Sequence, residues 1–195
     1  HNLIVFVDEI YEKIVYDGAR HVSIGSLPGM EDRTITVNGF SKAYAMTGWR
    51  IGYIVAGKKL SATLRKLHYY AVLCPNAISQ KAAFAALIGR QDCVQEMVRE
   101  YNRRRELVLN ELERIKSLSY TIPKGAFYVF PGFSSYERSD EVLASNLLKE
   151  VRVVTAPGSG FGGVGEGHLR ISYSVSYEQV KEGMERIRKY LGRQA

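Results

Sequence analysis

A continuous apolar run at residues 3–7 constrains the fold more than any other feature of this sequence. Five apolar residues that end at an acidic pair are typical of a strand buried on both faces in a parallel sheet. Asp8 follows directly, at the carboxyl end of the predicted strand. In open α/β sheets, ligands bind at these ends. We therefore predict an α/β protein with a site near Asp8.

Further strand and helix patterns alternate along the chain, and turn residues separate them. The other predicted strands are residues 34–37, 50–56, 126–130, 151–155 and 169–173. The predicted helices are residues 58–70, 79–87, 94–115 and 141–150, with a closing helix whose core face is Val180, Met184, Ile187 and Leu191. Ser176 and Gln179 form a capping-box signal at the start of that closing helix. Beyond about residue 100 the pattern changes to alternating short strands and helices, which predicts two domains, residues 1–100 and 101–195.

Composition excludes several classes of protein. An apolar fraction of 46% is ordinary for a globular protein with a core. No apolar run approaches the roughly 20 residues that span a bilayer, and no signal-peptide pattern opens the chain. We expect a cytoplasmic protein with no membrane partner. Cys74 and Cys93 show no CxxC or histidine pattern, so neither a disulfide nor a metal site is predicted.

The net charge of +7 raises the question of nucleic acid, because clustered lysine and arginine bind phosphate backbones. The densest basic run, residues 103–105, lies inside the long helical pattern and is surrounded by glutamates. Interleaved acids reduce any field that would attract phosphate. We predict a solvated helix face there, and no nucleic-acid partner.

Residues 37–53 carry the chemistry of this chain. They combine Lys42, Arg50 and flexible glycines between two predicted strands. A lysine amine that forms a Schiff base needs a fixed loop, a nearby cation that lowers its pKa, and an anchor for the rest of the cofactor. Lys42 and Arg50 fit these needs.

This stretch resembles the lysine signature of class I and II aminotransferases, pyridoxal phosphate (PLP) enzymes of fold type I. The resemblance implies that Lys42 holds PLP as a Schiff base and is the catalytic residue, and that Ser41 and Arg50 bind the cofactor, Arg50 through the phosphate. The match extends to Thr47, Gly48, Trp49 and Gly52. Gly39 departs from the pattern, because the family often has a phosphate-binding serine or threonine there.

Two further motifs complete the resemblance. Asp8 and Tyr11 match an Asp-x-x-Tyr motif whose aspartate keeps the pyridine nitrogen of PLP protonated and whose tyrosine hydroxyl bonds the ring oxygen. Arg170, which follows the glycine-rich residues 156–161, resembles the arginine that binds the substrate carboxylate. A planar guanidinium suits that bidentate contact. The aromatic residues at 127–130 are predicted to be core.

The resemblance also implies the fold and the partners. Residues 1–100 would be the C-terminal part of a fold type I large domain, a mostly parallel sheet with helices, and residues 101–195 a small α+β domain. We expect a fragment, inactive alone, of a homodimeric enzyme that acts on amino acids and 2-oxo acids. Alternatives are a fold type I lyase or decarboxylase, or the aminotransferase-like sensor domain of a transcriptional regulator. A nicotinamide-binding module is disfavoured, because no strand precedes a G-x-G-x-x-G motif.

Overall fold

The computed structural model of the chain describes residues 1–193 and has the α/β class predicted from the sequence. Its contacts divide it into two compact units, His1–Val98 and Arg99–Ala195. We call these the first unit and the second unit. Residues 194 and 195, the end of the second predicted domain, lie outside the described residues. The assignment of the units to domains of an enzyme stays a prediction.

The first unit is built on a three-stranded sheet in the order β1-β2-β3. Its strands are β1 (Val5–Asp8), β2 (Thr34–Gly39) and β3 (Gly52–Ala56). Strands β1 and β2 are parallel, with Asp8 beside Val37, whereas β2 and β3 are antiparallel, with Gly39 beside Gly52. The prediction that the first strand is buried on both faces is wrong. Phe6 is 66% exposed, because no described residue covers its face of β1.

Two helices follow this sheet, as the sequence predicts. They are α1 (Lys58–Val72) and α2 (Ala77–Ile88). Helix α2 begins two residues earlier than predicted, because Asn76 caps it: its side-chain oxygen accepts hydrogen bonds from the amides of Ile78 and Ser79. Helix α1 buries none of its residues.

The predicted long helix is confirmed as α3 (Asp92–Glu113), which contributes residues to both units. Arg104 forms an ion pair with Glu100 at 3.0 Å, as a charged helix face predicts. The prediction of a solvated face is wrong for Arg105, which is buried and donates from Nε to the carbonyl oxygen of Pro123 at 2.7 Å. Neither α3 nor any other helix within residues 1–193 is both long and apolar enough to cross a bilayer.

The second unit has an antiparallel sheet in the order β4-β6-β5, flanked by helices. Its elements are β4 (Tyr128–Val129), α4 (Asp140–Val151), β5 (Ala156–Pro157), β6 (Leu169–Ser172) and α5 (Tyr177–Leu191). The strand predicted at residues 151–155 is wrong. Arg152 ends α4 in the left-handed conformation, with φ of 58°, and pairing begins only at Ala156, opposite Arg170.

The core of the second unit lies around α5 and the sheet. The capping box is confirmed, since the Gln179 amide donates to Ser176 Oγ and the Ser176 amide donates to Gln179 Oε1. The predicted core face of α5 is also confirmed, because all four of its residues are buried. They pack in a unit whose fully buried side chains include Val108, Leu112, Phe133, Leu143, Leu147, Leu169 and Tyr173.

Candidate active site

Asp8 and Lys42 follow neighbouring parallel strands. Asp8 is the last residue of β1, and β2 beside it ends at Gly39, three residues before Lys42. Parallel strands bring their carboxyl ends to one edge of a sheet. The Asp8 side chain is exposed, and its Oδ1 accepts a hydrogen bond from the amide of Ile10 at 3.0 Å, which fixes the turn after β1. A carboxylate and an amine therefore follow two adjacent strand ends of the first unit.

Tyr11 contacts Lys42 directly. Lys42 Nζ lies 5.9 Å from the centroid of the Tyr11 ring, and both residues are half-buried. This distance is within the range of a cation–π interaction. The backbone carbonyl of Tyr11 also accepts a hydrogen bond from the amide of Ile14, which is completely buried. The structure thus brings together two predicted cofactor-binding residues that lie 31 positions apart in the sequence.

The loop that carries Lys42 is anchored on both sides of the lysine. Phe40, Ala43 and Met46 are buried, and Phe40 and Met46 pack with Ala83 of α2. The Phe40 carbonyl accepts hydrogen bonds from the amides of Tyr44 and Met46. Apolar anchors at these spacings leave the intervening residues at the surface of the turn. Ser41 and Lys42, both half-buried, are those residues.

Arg50 lies beyond the same loop, at a left-handed turn with φ of 50°. Its Nη1 donates to the carbonyl oxygen of Thr47 at 2.8 Å. The turn is held to α2, because Ser79 Oγ donates to the carbonyl oxygen of Trp49 at 2.8 Å. Arg50 lines an open surface cavity together with residues from the start of α2. A guanidinium and a helix N-terminus both favour an anion.

Gly39, the departure from the family pattern, has a structural reason in this chain. A Cβ atom at Gly39 would lie 3.0 Å from the Cα of Gly52 and 3.1 Å from the carbonyl oxygen of Ile51. Such contacts are too close without a shift of β3. The close approach of β2 and β3 therefore favours glycine here, and a larger residue would require β3 to shift slightly.

Glu9 is a buried residue of this region that the sequence analysis missed. Its Oε1 accepts from the amide of Ile24 at 3.2 Å, and its Oε2 lies 3.1 Å from His21 Nε2. Burial would raise the pKa of Glu9, but hydrogen bonds from His21, Ser23 and Ile24 outweigh it and hold the pKa below its usual value. Glu9 therefore fixes the segment after β1 onto the sheet. Only its burial, which the sequence does not reveal, distinguishes it from Glu12.

Glu9, Glu12 and His21 also form a small polar group, with ligand atoms that all lie within 4.8 Å of one another. Both Glu9 oxygens already have partners, so the group is explained by its structural role in holding residues 21–24.

Tyr53 is a further titratable residue of this region. Burial and the negative charge of Glu12 raise its pKa. Tyr53 therefore stays a neutral phenol well above neutral pH.

Arg170 lies in the second unit, on the central strand β6. Its guanidinium carbon is 4.6 Å from the ring centroid of Tyr128 and 4.6 Å from that of Phe161. The prediction that the aromatic residues at 127–130 are core is confirmed for Phe127, which is buried, and wrong for Phe130, which is 36% exposed. Tyr128 is instead half-buried and Phe161 is 52% exposed. The alternation of β4 is a signal for this placement, since Tyr128 lies between the buried Phe127 and Val129.

The glycine-rich loop before Arg170 is fastened by a buried carboxylate. Asp140 accepts hydrogen bonds from the amides of Ser159 at 2.8 Å and Gly167 at 3.3 Å. Burial would raise the pKa of Asp140, but these bonds and one from the Ser159 side chain outweigh it and lower the pKa. The backbones of Gly158 and Gly165 approach so closely that neither position has room for a Cβ atom. The loop is therefore rigid at both ends.

The predicted site residues fall in both units. Asp8, Tyr11, Ser41, Lys42 and Arg50 lie in the first unit, and Arg170 lies in the second. Within the first unit the structure brings Tyr11 to Lys42, with Asp8 on the adjacent strand end. The role of Arg170 toward the same substrate stays a prediction.

The sequence of this chain is similar to those of known proteins. A family model described as aminotransferase class I and II matches residues 1–187. The aromatic-amino-acid aminotransferase 2 of Thermococcus litoralis is 45% identical over 98% of this chain and 49% of its own length. The aspartate aminotransferase of Pyrococcus abyssi is likewise 45% identical, over the same shares of each chain.

Solved structures give the same result for the fold. The crystal structure of the aromatic aminotransferase from Pyrococcus horikoshii matches with a TM-score of 0.95 and 46% identity, over 99% of this chain and 52% of that chain. The aspartate aminotransferase of Rhizobium meliloti matches with a TM-score of 0.92 and 40% identity, over 98% and 50%. The predicted fold class is confirmed. The chain spans about half the length of the relatives it matches.

Proposed function

Because the chain belongs to the class I and II aminotransferase family, we propose that the protein containing it transfers the amino group of an amino acid to a 2-oxo acid, with PLP as its cofactor. One observation carries this proposal. Lys42, on a loop anchored by buried side chains, lies 5.9 Å from the Tyr11 ring, and Asp8 ends the adjacent strand. An amine, a phenol and a carboxylate are thus available in the first unit.

The chemistry of these donors fits PLP group by group. The Lys42 amine would attach to the aldehyde carbon, and the Asp8 carboxylate would face the ring nitrogen. Tyr11 would donate its hydroxyl to the ring oxygen, while Ser41 and Arg50 would bind the phosphate. When bound, PLP supplies an electron-withdrawing ring that stabilises negative charge at the α-carbon of the amino acid.

Each residue then has a defined task. The Asp8 carboxylate would favour a protonated ring nitrogen, because an adjacent negative charge favours the cationic form of that nitrogen. The Lys42 amine would serve as the proton acceptor and donor at the substrate α-carbon, acting as base and then as acid. The Arg170 fork binds the α-carboxylate that amino acids and 2-oxo acids share. The Phe40–Met46 anchors limit the motion of the Lys42 backbone.

We propose a cytoplasmic enzyme that is a homodimer in its complete form, as the family resemblance implies. The present chain alone is proposed to bind PLP weakly and to lack appreciable activity. The apolar side chains exposed in its first unit support this, since an intact active-site unit would cover them.

The test is to locate the lysine that PLP modifies. The complete gene product, with PLP added, is reduced with borohydride, digested and analysed by mass spectrometry. We expect the label on Lys42, and we expect Lys42→Ala to abolish both the label and 2-oxo acid formation. Lys58→Ala, at the exposed start of α1, is the matched control and should keep both.

Product analysis separates the reaction types. A half-reaction that yields the 2-oxo acid supports aminotransfer, whereas loss of carbon dioxide or of a β-substituent would replace it with decarboxylation or elimination. A label on a different lysine would disprove the proposed site. If the isolated chain holds PLP stoichiometrically at micromolar concentration, and Lys42→Ala removes it, the proposal of weak binding fails.

A further inference from the structure

The guanidinium of Arg170 lies against two aromatic rings. It lies over the rings of Tyr128 and Phe161, at 4.6 Å from each centroid. Within residues 1–193 it forms neither a hydrogen bond nor an ion pair. A half-buried cation that has no carboxylate partner is unusual, because removing charge from water is costly. Among residues 1–193, the guanidinium therefore has two ring contacts, while its N–H groups have no hydrogen-bond acceptor.

The sheet explains why the two rings flank Arg170. Strand β6 is central, with β4 on one side and β5 on the other. Tyr128 of β4 pairs with Ser172, which lies on the same face of β6 as Arg170. Ala156 of β5 pairs with Arg170 itself, and the chain after β5 leads through a short turn to Phe161. The rings therefore reach the guanidinium from the two neighbouring strands.

Phe161 is itself fixed, although half of its surface is exposed. Its ring contacts Phe130 edge to face, with centroids 6.0 Å apart, and Phe130 stacks on His168 at 5.2 Å. The turn before it is tied to α4, since the Ser159 amide donates to Asp140. A ring that is held in this way restricts the side chain that lies over it.

We infer that Tyr128 and Phe161 are positioning residues for the carboxylate-binding arginine, an inference that rests on the proposed function. A free arginine side chain samples many rotamers, and a ligand that orders it must overcome the loss of that entropy. Rings on the faces remove part of this cost in advance and do not compete for the N–H groups. The preferred ligand is a carboxylate that approaches the edge of the guanidinium and binds in bidentate fashion. The two rings affect the reaction only indirectly, because they orient the guanidinium of Arg170.

Kinetics of the complete gene product test the inference. Phe161→Leu and Tyr128→Leu keep apolar bulk but remove the rings. A cation–π contact of ordinary strength corresponds to a rise in KM of about 3- to 30-fold for amino acids and 2-oxo acids. We expect kcat to change by less than about twofold, because the transferred proton is not affected. Tyr128→Phe should keep the wild-type KM, since it retains the ring.

Two comparisons separate positioning from a general change of shape. A primary amine that lacks a carboxylate should react equally with wild type and both leucine variants. In an Arg170→Leu background, removing either ring should change KM by less than about twofold, since coupled residues are not additive. Tyr177→Leu is the matched control, because it removes a ring that lies 3.9 Å from a different arginine, Arg103. It should leave KM unchanged.

An NMR measurement that needs no enzyme turnover tests the ordering of Arg170 independently of the proposed function. In the ¹⁵N-labelled chain, relaxation of the Arg170 Nε group reports the mobility of its guanidinium directly. We expect an ordered group in wild type and a mobile one in both leucine variants, with acetate shifting only the wild-type resonance at low concentration. Equal order in wild type and variants, or an equal rise in KM for the amine that lacks a carboxylate, would overturn the inference. If the wild-type enzyme is inactive but Arg170 is ordered, the proposed aminotransferase function fails and the ordering of Arg170 by the rings does not.

Discussion

The two units of this chain differ in where their apolar side chains lie. In the second unit α4, α5 and the sheet enclose a core, and residues such as Phe133, Leu147 and Leu169 have no exposed surface. In the first unit, large apolar side chains are exposed on the strands and on both helices. These include Phe6, Ile54, Val55, Leu67, Tyr70, Ile78, Phe84, Leu87 and Ile88. Since burial of apolar area is the main source of folding free energy, we expect the second unit to be the more stable of the two.

The predicted chemistry has the opposite distribution. Five of the six predicted site residues lie in the first unit, which buries less apolar surface. It instead has a few specific hydrogen bonds and apolar anchors, namely the buried Glu9 brace, the Asn76 cap and the Phe40–Met46 anchors. The comparison shows that local geometry at a site can be fixed by a few hydrogen bonds and anchors even where the surrounding unit exposes apolar faces.

The strongest test of this contrast divides the chain before α3. Residues 90–195, expressed alone, are expected to unfold cooperatively in a thermal melt followed by circular dichroism, because their core is contained within the unit. Residues 1–89 alone are expected to show no cooperative transition and to bind a hydrophobic dye. The contrast breaks down if residues 1–89 melt cooperatively as a monomer, or if residues 90–195 fail to do so.

A matched pair of leucines measures the same difference in free energy. Leu147 is completely buried in α4, and Leu87 in α2 is 53% exposed. We expect Leu147→Ala to lower the free energy of unfolding by about 2–5 kcal/mol, through lost burial and a cavity. Leu87→Ala should change it by about 0.5 kcal/mol or less in this chain. Urea titration of both variants measures these free energies. Equal decreases in the free energy of unfolding would show that burial does not cause the difference between the two units.

Much of this fold could be predicted because its elements carry local signals. The amphipathic pattern of α5 and its capping box led directly to the observed core face, and the apolar run at β1 led to the site edge. The strand at residues 151–155 could not be predicted correctly, because β-branched residues favour a strand while the left-handed Arg152 ends α4 just before them. Arg105 was missed for a related reason, since its burial depends on the distant Pro123 carbonyl.

The residues of the candidate site also differ in how far the sequence predicts them. Lys42, Arg50 and Asp8 lie in motifs that the sequence displays, so their neighbourhood could be predicted. The contact between Lys42 and Tyr11, and the rings over Arg170, depend on how strands pair and on where the side chains point. No local pattern encodes the register that places Tyr128 beside Ser172. Sequence thus displays the groups that we propose to react, whereas the groups that we propose to orient them depend on tertiary structure.

A buried carboxylate gives the second unit a dependence on pH. Asp140 has a folded-state pKa below its usual value, so the unfolded chain binds its proton first as the pH falls. Its contribution to stability is therefore complete above the ordinary aspartate pKa of about 3.9 and is lost as the pH falls below it. We expect Asp140→Asn to cost about 1–3 kcal/mol at pH 7 and less at pH 3.

The control for Asp140 is Asp92→Asn, which removes an exposed ion pair with Arg90 that contributes little. Urea titrations at both pH values measure the two variants. If the cost of Asp140→Asn is the same at pH 3 and pH 7, its carboxylate charge is not what fastens the glycine-rich loop.

The smallest expected effect compares two helix caps of the same kind in the two units. Ser176 caps α5 and Asn76 caps α2, each by accepting hydrogen bonds from backbone amides. Loss of such a cap costs about 1 kcal/mol when the helix takes part in the cooperative core. We expect Ser176→Ala to show this full cost in the urea transition. Asn76→Ala should lower the helical signal before that transition instead, because α2 buries few of its residues and can fray separately from the second unit. Amide hydrogen exchange in α2 and α5 would measure both, and equal shifts in the main transition would mean that the two units unfold as one.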